Sequence, residues 1–176
     1  MFRTHEGSIV KPTELRPAEI LLERGDTIAT AESLTGGAVC VRLVETEGIS
    51  AILLGGIVSY TDEMKARMLG VDTTLLDEQG PVCGQVASQM AQGIARVTGA
   101  VHTVSTTGVA GPGPADGHEQ GTVWIGREDG RAFGFTFPGT RAEVSESTVI
   151  AAVHLLADLE LPADLAKFLT AEETWR

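Results

Sequence analysis

The sequence predicts an α/β fold: a single three-layer α/β/α domain with a mixed, mostly parallel sheet and one antiparallel hairpin. Short apolar runs of strand length alternate with longer segments whose apolar residues recur at helical spacing. An Asp-Gly pair, Asp129-Gly130, separates two of the strand-like runs and predicts the hairpin. No internal repeat or linker divides the 176 residues, so we predict a short arm over residues 1–12 and one domain over residues 13–170.

The first part of the chain predicts a helix, a strand and a second helix. The helix spans 13–24 and ends at Gly25, with Pro17 either in its first turn or kinking it. The sequence TIATA over 27–31 is then a short buried strand. Apolar residues at helical spacing predict the second helix over 35–46.

The middle of the chain predicts one strand and three helices. Residues 52–60 are a strand whose Gly-Gly pair indicates a bulge or a close backbone approach. A helix over 61–69 follows, because polar residues can cap its start and Gly70 can end it. A short helix over 74–78 and a longer one over 85–97 come next.

The last part predicts a strand over 101–106, a long glycine-rich loop over 108–121, and a hairpin formed by 122–127 and 131–137. A helix over 141–159 follows. Pro162 interrupts it, and we expect a short helical tail beyond that proline.

Composition excludes several classes of function. The 13 basic and 24 acidic residues give a net charge of −11, and Lys and Arg do not cluster, so we expect no nucleic-acid partner. No apolar run approaches the ~20 residues that span a bilayer, and residues 1–11 lack the apolar core of an export signal. We therefore expect a cytoplasmic protein with no membrane partner. The two cysteines, Cys40 and Cys83, fit a reducing compartment.

Metal ligands do not occur at ligand spacing in this sequence. The four histidines are scattered, and the two cysteines lie far apart along the chain. We expect no metal site and no cofactor.

Four polar segments lie at the ends of predicted strands, and all except the second contain glycine: 30–37, 59–65, 106–113 and 120–122. Ligands of open α/β sheets bind beyond the carboxyl ends of the strands. We expect these four segments to converge there.

Ser33 lies at a predicted strand-to-helix turn. It could attack a carbonyl, with N–H groups of the helix's first turn stabilising the oxyanion or holding a phosphate. Alternatively, Ser33 and Thr35 cap the helix while Gly36 and Gly37 allow tight packing. Glu32 either accepts a hydrogen bond from a substrate amide or is a capping or solvent-facing carboxylate.

A serine nucleophile needs a base, and Lys65 in the first turn of a predicted helix is the candidate. Its alternative is an exposed helix lysine. Tyr60, the only tyrosine, could orient the lysine or stack on a flat ring, and its alternative is an edge residue of the core. The hydroxyls of Thr106 and Thr107 and the N–H groups of 108–111 could close over a polar or anionic ligand, or form a structural Gly-Pro turn.

The sequences TAESLTGG (30–37), GIVSYTDEMKARMLGV (56–71), TGVAGP (107–112) and GTVWI (121–125) together resemble the CinA C-terminal domain, the nicotinamide-nucleotide amidase family. Their order and spacing agree, and the resemblance covers residues 15–160. It implies a homo-oligomeric hydrolase that converts nicotinamide mononucleotide, a small-molecule nucleotide substrate, to nicotinic acid mononucleotide and ammonia in pyridine-nucleotide recycling.

The resemblance also implies roles for individual residues. The family's serine, lysine and tyrosine fall on Ser33, Lys65 and Tyr60. Ser33 would attack the carboxamide carbon, and Lys65 would take the hydroxyl proton and return it to ammonia. Helix amides near Thr35, Gly36 and Gly37 would hold the oxyanion. Ribose or phosphate would bind the loop that contains Thr106, Thr107, Gly108, Ala110 and Gly111.

The chain departs from the family pattern in a tolerable way at Leu34, Asp62 and Met64, and more seriously at two further places. Where the family has an arginine about four residues after Arg141, this chain has Ser145, so Arg141 is the remaining candidate for the phosphate. The loop before Gly121 reads His118-Glu-Gln120 in place of Lys-Pro-Val. Two alternatives therefore stay open: a non-catalytic nucleotide-binding or regulatory module, and an amidase for another small carboxamide.

Overall fold

The computed structural model describes residues 12–175, with side chains from Pro17 onward. The predicted arm over residues 1–12 lies outside the described residues except for Pro12, which begins the first helix. The predicted domain bounds stay a prediction.

The helices within the described residues are α1 (Pro12–Arg24), α2 (Ala38–Val44), α3 (Asp62–Leu69), α4 (Thr73–Gln79), α5 (Gly84–Thr98), α6 (Arg141–Leu156) and α7 (Ala163–Ala166). The strands are β1 (Ile28–Glu32), β2 (Leu53–Val58), β3 (His102–Gly108), β4 (Thr122–Arg127), β5 (Arg131–Thr136) and β6 (Leu169–Thr174). A 3-10 turn, Ile49–Ala51, precedes β2.

Local signals explain most of these boundaries. The Oγ1 of Thr61 accepts a hydrogen bond from the Met64 amide at 3.3 Å and caps α3, and Gly70 ends that helix at φ +67°. α2 begins three residues later than predicted because Gly37 lies at φ +104°, outside the helical region. α6 stops before its predicted end, and Asp158 adopts φ +53° just beyond it.

The strands form one sheet in the order β2-β1-β3-β4-β5-β6. β1 is parallel to both β2 and β3, whereas β4, β5 and β6 each pair antiparallel to the preceding strand. The mixed α/β class is therefore confirmed, but the prediction of a mostly parallel sheet is wrong, because three of the five strand pairs described are antiparallel.

β6 accounts for much of that error. We predicted only a helical tail after Pro162, and the chain instead makes one helical turn, α7, and then pairs with β5. The β6 sequence LTAEET is polar and mostly exposed, as suits an edge strand. Such a strand is specified by its pairing partner and leaves little hydrophobic pattern in the sequence.

The core lies on both faces of the sheet, because successive strand residues point to opposite sides. Ile28 packs in one apolar cluster with Leu43 of α2 and Val149 of α6. The next residue, Ala29, packs in a second cluster with Met90 of α5 and Leu69 of α3. The result is the predicted three-layer arrangement, with helices on the two faces of the sheet.

The sheet order also determines where a ligand can bind. After β1 the chain crosses to β2 on one side, and after β2 it crosses to β3 on the other side of β1. A crevice forms beyond the carboxyl ends of strands at such a point. The residues that follow β1, β2 and β3 therefore converge at one edge.

Candidate active site

A cavity of about 380 Å³ lies at this edge of the sheet. Its walls come from segments distant in sequence, and they comprise residues 33–34, 60–62, Lys65, 81–82, 107–113, 115–116 and Arg141. Segments that follow β1, β2 and β3 thus meet, as the strand ends predict. The fourth predicted segment, 120–122, does not line the cavity.

Ser33 is the first residue after β1 and is 8% exposed. Its amide donates to the Thr106 carbonyl at 2.9 Å, which ties the turn to the neighbouring strand β3. Within the described residues the Ser33 hydroxyl has no hydrogen-bond partner, although the residue lines the cavity. The hydroxyl is available to a bound molecule.

Glu32 does not line the cavity, so the structure gives no support to its predicted contact with a substrate amide. The residue is 1% exposed, and its carboxylate is used inside the protein. It accepts hydrogen bonds from the amides of Gly37 (2.9 Å), Val39 (3.0 Å) and Cys40 (2.8 Å) and from the hydroxyls of Thr35 (2.7 Å) and Thr30 (3.1 Å). Glu32 therefore caps the start of α2, which is the alternative role that the sequence indicated for this carboxylate.

This cap corrects the predicted role of the α2 amides. The Gly37 amide donates to Glu32, and the Gly36 amide donates to the Ser33 carbonyl at 3.1 Å, so neither is left for an oxyanion or phosphate. Thr35 is buried, and its hydroxyl lies 2.7 Å from that of Thr106, which is buried as well. None of these four residues lines the cavity. The structure gives no support to their predicted substrate-binding roles, because these amides and hydroxyls are paired inside the protein.

Lys65 lies in the first turn of α3 and is 2% exposed, so the exposed-lysine alternative is wrong. Its Nζ lies 3.4 Å from Oδ1 of Asp62, and both residues line the cavity. Lysines are almost never fully buried unless they are paired. A buried amine in a cavity wall is placed to contact whatever fills the cavity.

Tyr60 and Arg141 form one side of the cavity mouth. Tyr60 is 57% exposed, so it is not a core residue. Arg141, the first residue of α6, donates from Nη2 to the Tyr60 hydroxyl at 3.0 Å and from Nη1 to the Gly111 carbonyl at 2.5 Å. The guanidinium thereby connects the segment after β2 with the 108–121 loop.

The 108–121 loop supplies backbone donors rather than hydroxyls. The Thr107 hydroxyl donates to the Pro81 carbonyl at 2.7 Å and is used internally. In the part of the chain that the structure describes, no acceptor takes the amide N–H of Ala110 or Gly111, and both residues line the cavity. These two amides and the Arg141 guanidinium, together with Lys65 Nζ, are available as donors to an anionic or polar ligand.

The sequence reasoning missed other residues of the site. Asp62 and Asp116 bring two carboxylates to the walls, and Pro81 and Val82 form the side next to Thr107. Gln120 ties the loop down through its side-chain amide. Asp62 was recognisable only as a first-turn acid of α3. Gln120 lies in the predicted segment 120–122 and Asp116 in the glycine-rich loop, but no pattern indicates their contacts, and nothing in the sequence marks Pro81 or Val82.

The thiols do not compete with Ser33 as nucleophiles. Burial raises the pKa of the Cys40 thiol, and the nearby Glu32 charge raises it further. Burial likewise raises the pKa of Cys83. A thiol nucleophile needs a lowered pKa, and neither cysteine lines the cavity.

The described residues contain neither a cluster of metal ligands nor a helix able to cross a membrane. Over 12–175, His, Cys, Asp and Glu do not gather in any group of three or more that could hold a metal ion. None of the helices described for this chain combines the length and apolar character needed to cross a membrane.

Comparison with known proteins gives consistent matches. The sequence model of the CinA C-terminal domain matches residues 11–159. The chain is similar to a CinA-like protein of Frankia casuarinae, with 41% identity over 140 residues, which is 78% of this chain and 32% of that protein. It spans about a third of the length of the curated relatives it matches.

Solved structures give the same result at the level of the fold. A competence-damaged protein (CinA) superfamily protein of Escherichia coli matches with a TM-score of 0.78 and 27% identity, over 90% of this chain and 100% of that one. A competence or damage-inducible protein of Enterobacter asburiae matches with a TM-score of 0.78 and 31% identity, over 84% of this chain and 96% of that one.

Proposed function

Because this chain belongs to the CinA C-terminal domain family, we propose that it deamidates nicotinamide mononucleotide, with Ser33 as nucleophile and Lys65 as base. The observation that carries the proposal is that Ser33, Lys65 and Tyr60 line one cavity although they come from separate segments. A hydroxyl without a partner and a buried amine in the wall of one cavity are the groups that acyl transfer through serine requires.

The reaction takes place in two stages. Ser33 Oγ bonds to the carboxamide carbon while Lys65 Nζ takes the hydroxyl proton; the C–N bond then breaks, and Lys65 returns the proton to the leaving nitrogen as ammonia. Water next adds to the ester carbon and gives a proton to Lys65. Ser33 Oγ leaves with that proton, so one carboxamide and one water give one acid and one ammonia.

The remaining donors have roles that follow from their charge. The amides of Ala110 and Gly111 have no acceptor within the described residues, and together with the Arg141 guanidinium at the mouth they are the donors for the phosphate. The exposed Tyr60 ring offers a flat surface for the pyridinium ring. The cavity wall carries two basic residues, Lys65 and Arg141, and two acidic residues, Asp62 and Asp116. Because the acidic residues offset the basic ones, the binding of a dianionic phosphate depends strongly on its contact with Arg141.

The test is ammonia release from nicotinamide mononucleotide, with the acid product identified by chromatography. We expect release by the parent protein and a loss of at least about 10³-fold in kcat for Ser33→Ala. Ser50→Ala, which changes an exposed serine outside the cavity, is the matched control. No release by the parent protein would overturn the proposed function, and full activity of Ser33→Ala would overturn the assignment of the nucleophile.

One observation favours a second candidate, a nucleotide-binding module without turnover. Within the described residues Lys65 Nζ contacts Asp62, and no hydrogen bond joins it to the Ser33 hydroxyl. The dyad therefore has to close when substrate binds. Binding of nicotinamide mononucleotide without ammonia release would identify such a module, and release of ammonia from other small carboxamides alone would identify a different amidase.

A further inference from the structure

Gln120 lies at the end of the 108–121 loop and has no part in the chemistry proposed above. Its side-chain amide nevertheless makes two hydrogen bonds to different segments of the site. Oε1 accepts from the Gly113 amide at 3.0 Å, and Nε2 donates to the Gly139 carbonyl at 2.6 Å. Gln120 itself does not line the cavity, so its two hydrogen bonds support the cavity wall from outside the cavity.

The loop backbone packs directly against this side chain. Gly111 has φ +93°, and a Cβ at that position would lie 2.3 Å from Cδ of Gln120. Two residues further along the loop, the amide of Gly113 donates its hydrogen bond to Gln120 Oε1. The part of the loop that carries the free Ala110 and Gly111 amides is therefore held in place by Gln120.

The second hydrogen bond reaches the start of α6. Gly139 precedes Arg141 by two residues, and Arg141 in turn donates to the Gly111 carbonyl. Gly111, Gln120, Gly139 and Arg141 thus form a closed ring of contacts. A change at Gln120 alters the position of the guanidinium relative to the loop amides, because both are attached to the same side chain.

We propose that Gln120 is a positioning residue, which sets Arg141 and the Ala110–Gly111 amides at the separation that one anionic ligand needs. The inference rests on the proposed function only for the identity of that ligand, the phosphate of nicotinamide mononucleotide. Since the phosphate lies away from the reacting carbon, Gln120 affects substrate binding more than the chemical step.

The kinetic test is a double-mutant cycle. Gln120→Met removes both hydrogen bonds at similar volume, and we expect KM for nicotinamide mononucleotide to rise about tenfold with kcat changed less than about twofold. In a protein that already carries Arg141→Met, Gln120→Met is expected to raise KM by less than about a further twofold, because both residues act on the same contact with the phosphate. Glu119→Met, at the exposed neighbouring position, is the control and is expected to leave both constants unchanged.

A second measurement needs no turnover. Amide hydrogen exchange at Gly113 is expected to be faster in Gln120→Met than in the parent protein or Glu119→Met, since the amide loses its acceptor. The cycle is repeated with the Kd of nicotinamide mononucleotide in Ser33→Ala proteins. Loss of turnover in the parent protein would therefore overturn the proposed function without deciding the role of Gln120.

Three results would overturn the proposal. The first is unchanged amide exchange at Gly113 in Gln120→Met, and the second is unchanged affinity of Gln120→Met for nicotinamide mononucleotide. The third is an equal effect of Gln120→Met on affinity in the presence and in the absence of Arg141. If Gln120→Met does not fold, Gln120→Glu takes its place. That variant keeps the volume and an acceptor for Gly113 but sets a carboxylate oxygen against the Gly139 carbonyl. The same loss of affinity is expected from Gln120→Glu, whereas amide exchange at Gly113 is expected to stay unchanged in this variant because its acceptor is kept.

Discussion

Lys65 is the residue whose structural and chemical roles are most easily separated. It is almost fully buried, and Asp62 is its charged neighbour at 3.4 Å. An apolar side chain of similar volume at this position leaves no buried charge without a partner, because the Asp62 side chain is about half exposed to solvent. A lysine kept there for the fold alone would therefore be dispensable for activity, whereas a base would not.

We predict that Lys65→Met lowers kcat for nicotinamide mononucleotide by at least about 10²-fold, since a general base contributes 10²–10⁴-fold. The Tm, measured by scanning calorimetry, is expected to stay the same or rise. Lys167→Met, at an exposed lysine remote from the cavity, is the control for loss of a positive charge. Activity retained together with a lowered Tm would show that Lys65 is structural.

At the scale of elements, the turn between β1 and α2 depends on one carboxylate. Glu32 accepts hydrogen bonds from three α2-region amides and two hydroxyls, and this cap sets the path of the chain through Ser33. A glutamine at this position has one acceptor oxygen, and its NH2 group would face amide donors. The cap is therefore a requirement for the nucleophile's position as well as for helix stability.

We predict that Glu32→Gln lowers the free energy of unfolding by about 2–3 kcal/mol, because hydrogen bonds to a charged group are lost and a buried donor is left without an acceptor. Urea denaturation measures the change. Glu19→Gln, on an exposed face of α1, is expected to change stability by less than about 0.5 kcal/mol. Equal stability of the parent protein and Glu32→Gln would contradict the assignment of the cap.

The elements that local signals specify could be predicted, and those that depend on distant partners could not. Thr61 and Gly70 mark α3 by their own conformations, and Asp129-Gly130 marks the hairpin. β6 carries no such mark, because β5 supplies its pairing. For the site, the strand ends predicted the cavity and Ser33 and Lys65 in its wall. The cap by Glu32 and the contacts of Gln120 depend on three-dimensional neighbours that a sequence pattern does not contain.

At the scale of the whole molecule, the apolar edge of the sheet has no neighbour within the described residues. β2 lies at that edge, and its sequence LLGGIV has no charged residue or proline to prevent pairing with another strand. Leu54 and Val58 of β2 and Val41 and Val44 of α2 are exposed. For a chain with a charge of −11, such an uncharged surface is where a second copy can approach with least repulsion.

We therefore expect the homo-oligomer that the family resemblance implies to form through the β2 edge. Sedimentation equilibrium is expected to give a mass above that of one chain for the parent protein and a single-chain mass for Leu54→Lys combined with Val58→Lys. Val97→Lys changes a similarly exposed residue on α5 and is the control. A parent protein that sediments as one chain, or a double variant that stays associated, would contradict this expectation.

The covalent intermediate on Ser33 is the central claim, and hydroxylamine trapping tests it most directly. If Ser33 forms an ester with the substrate's carbonyl carbon, hydroxylamine will compete with water for that ester and give the hydroxamate of the nucleotide at the expense of the acid. The ratio of hydroxamate to acid is expected to rise with hydroxylamine concentration while ammonia release continues. Steady ammonia release with the acid as the sole product at every hydroxylamine concentration would show that water attacks the carboxamide directly, and would contradict the account.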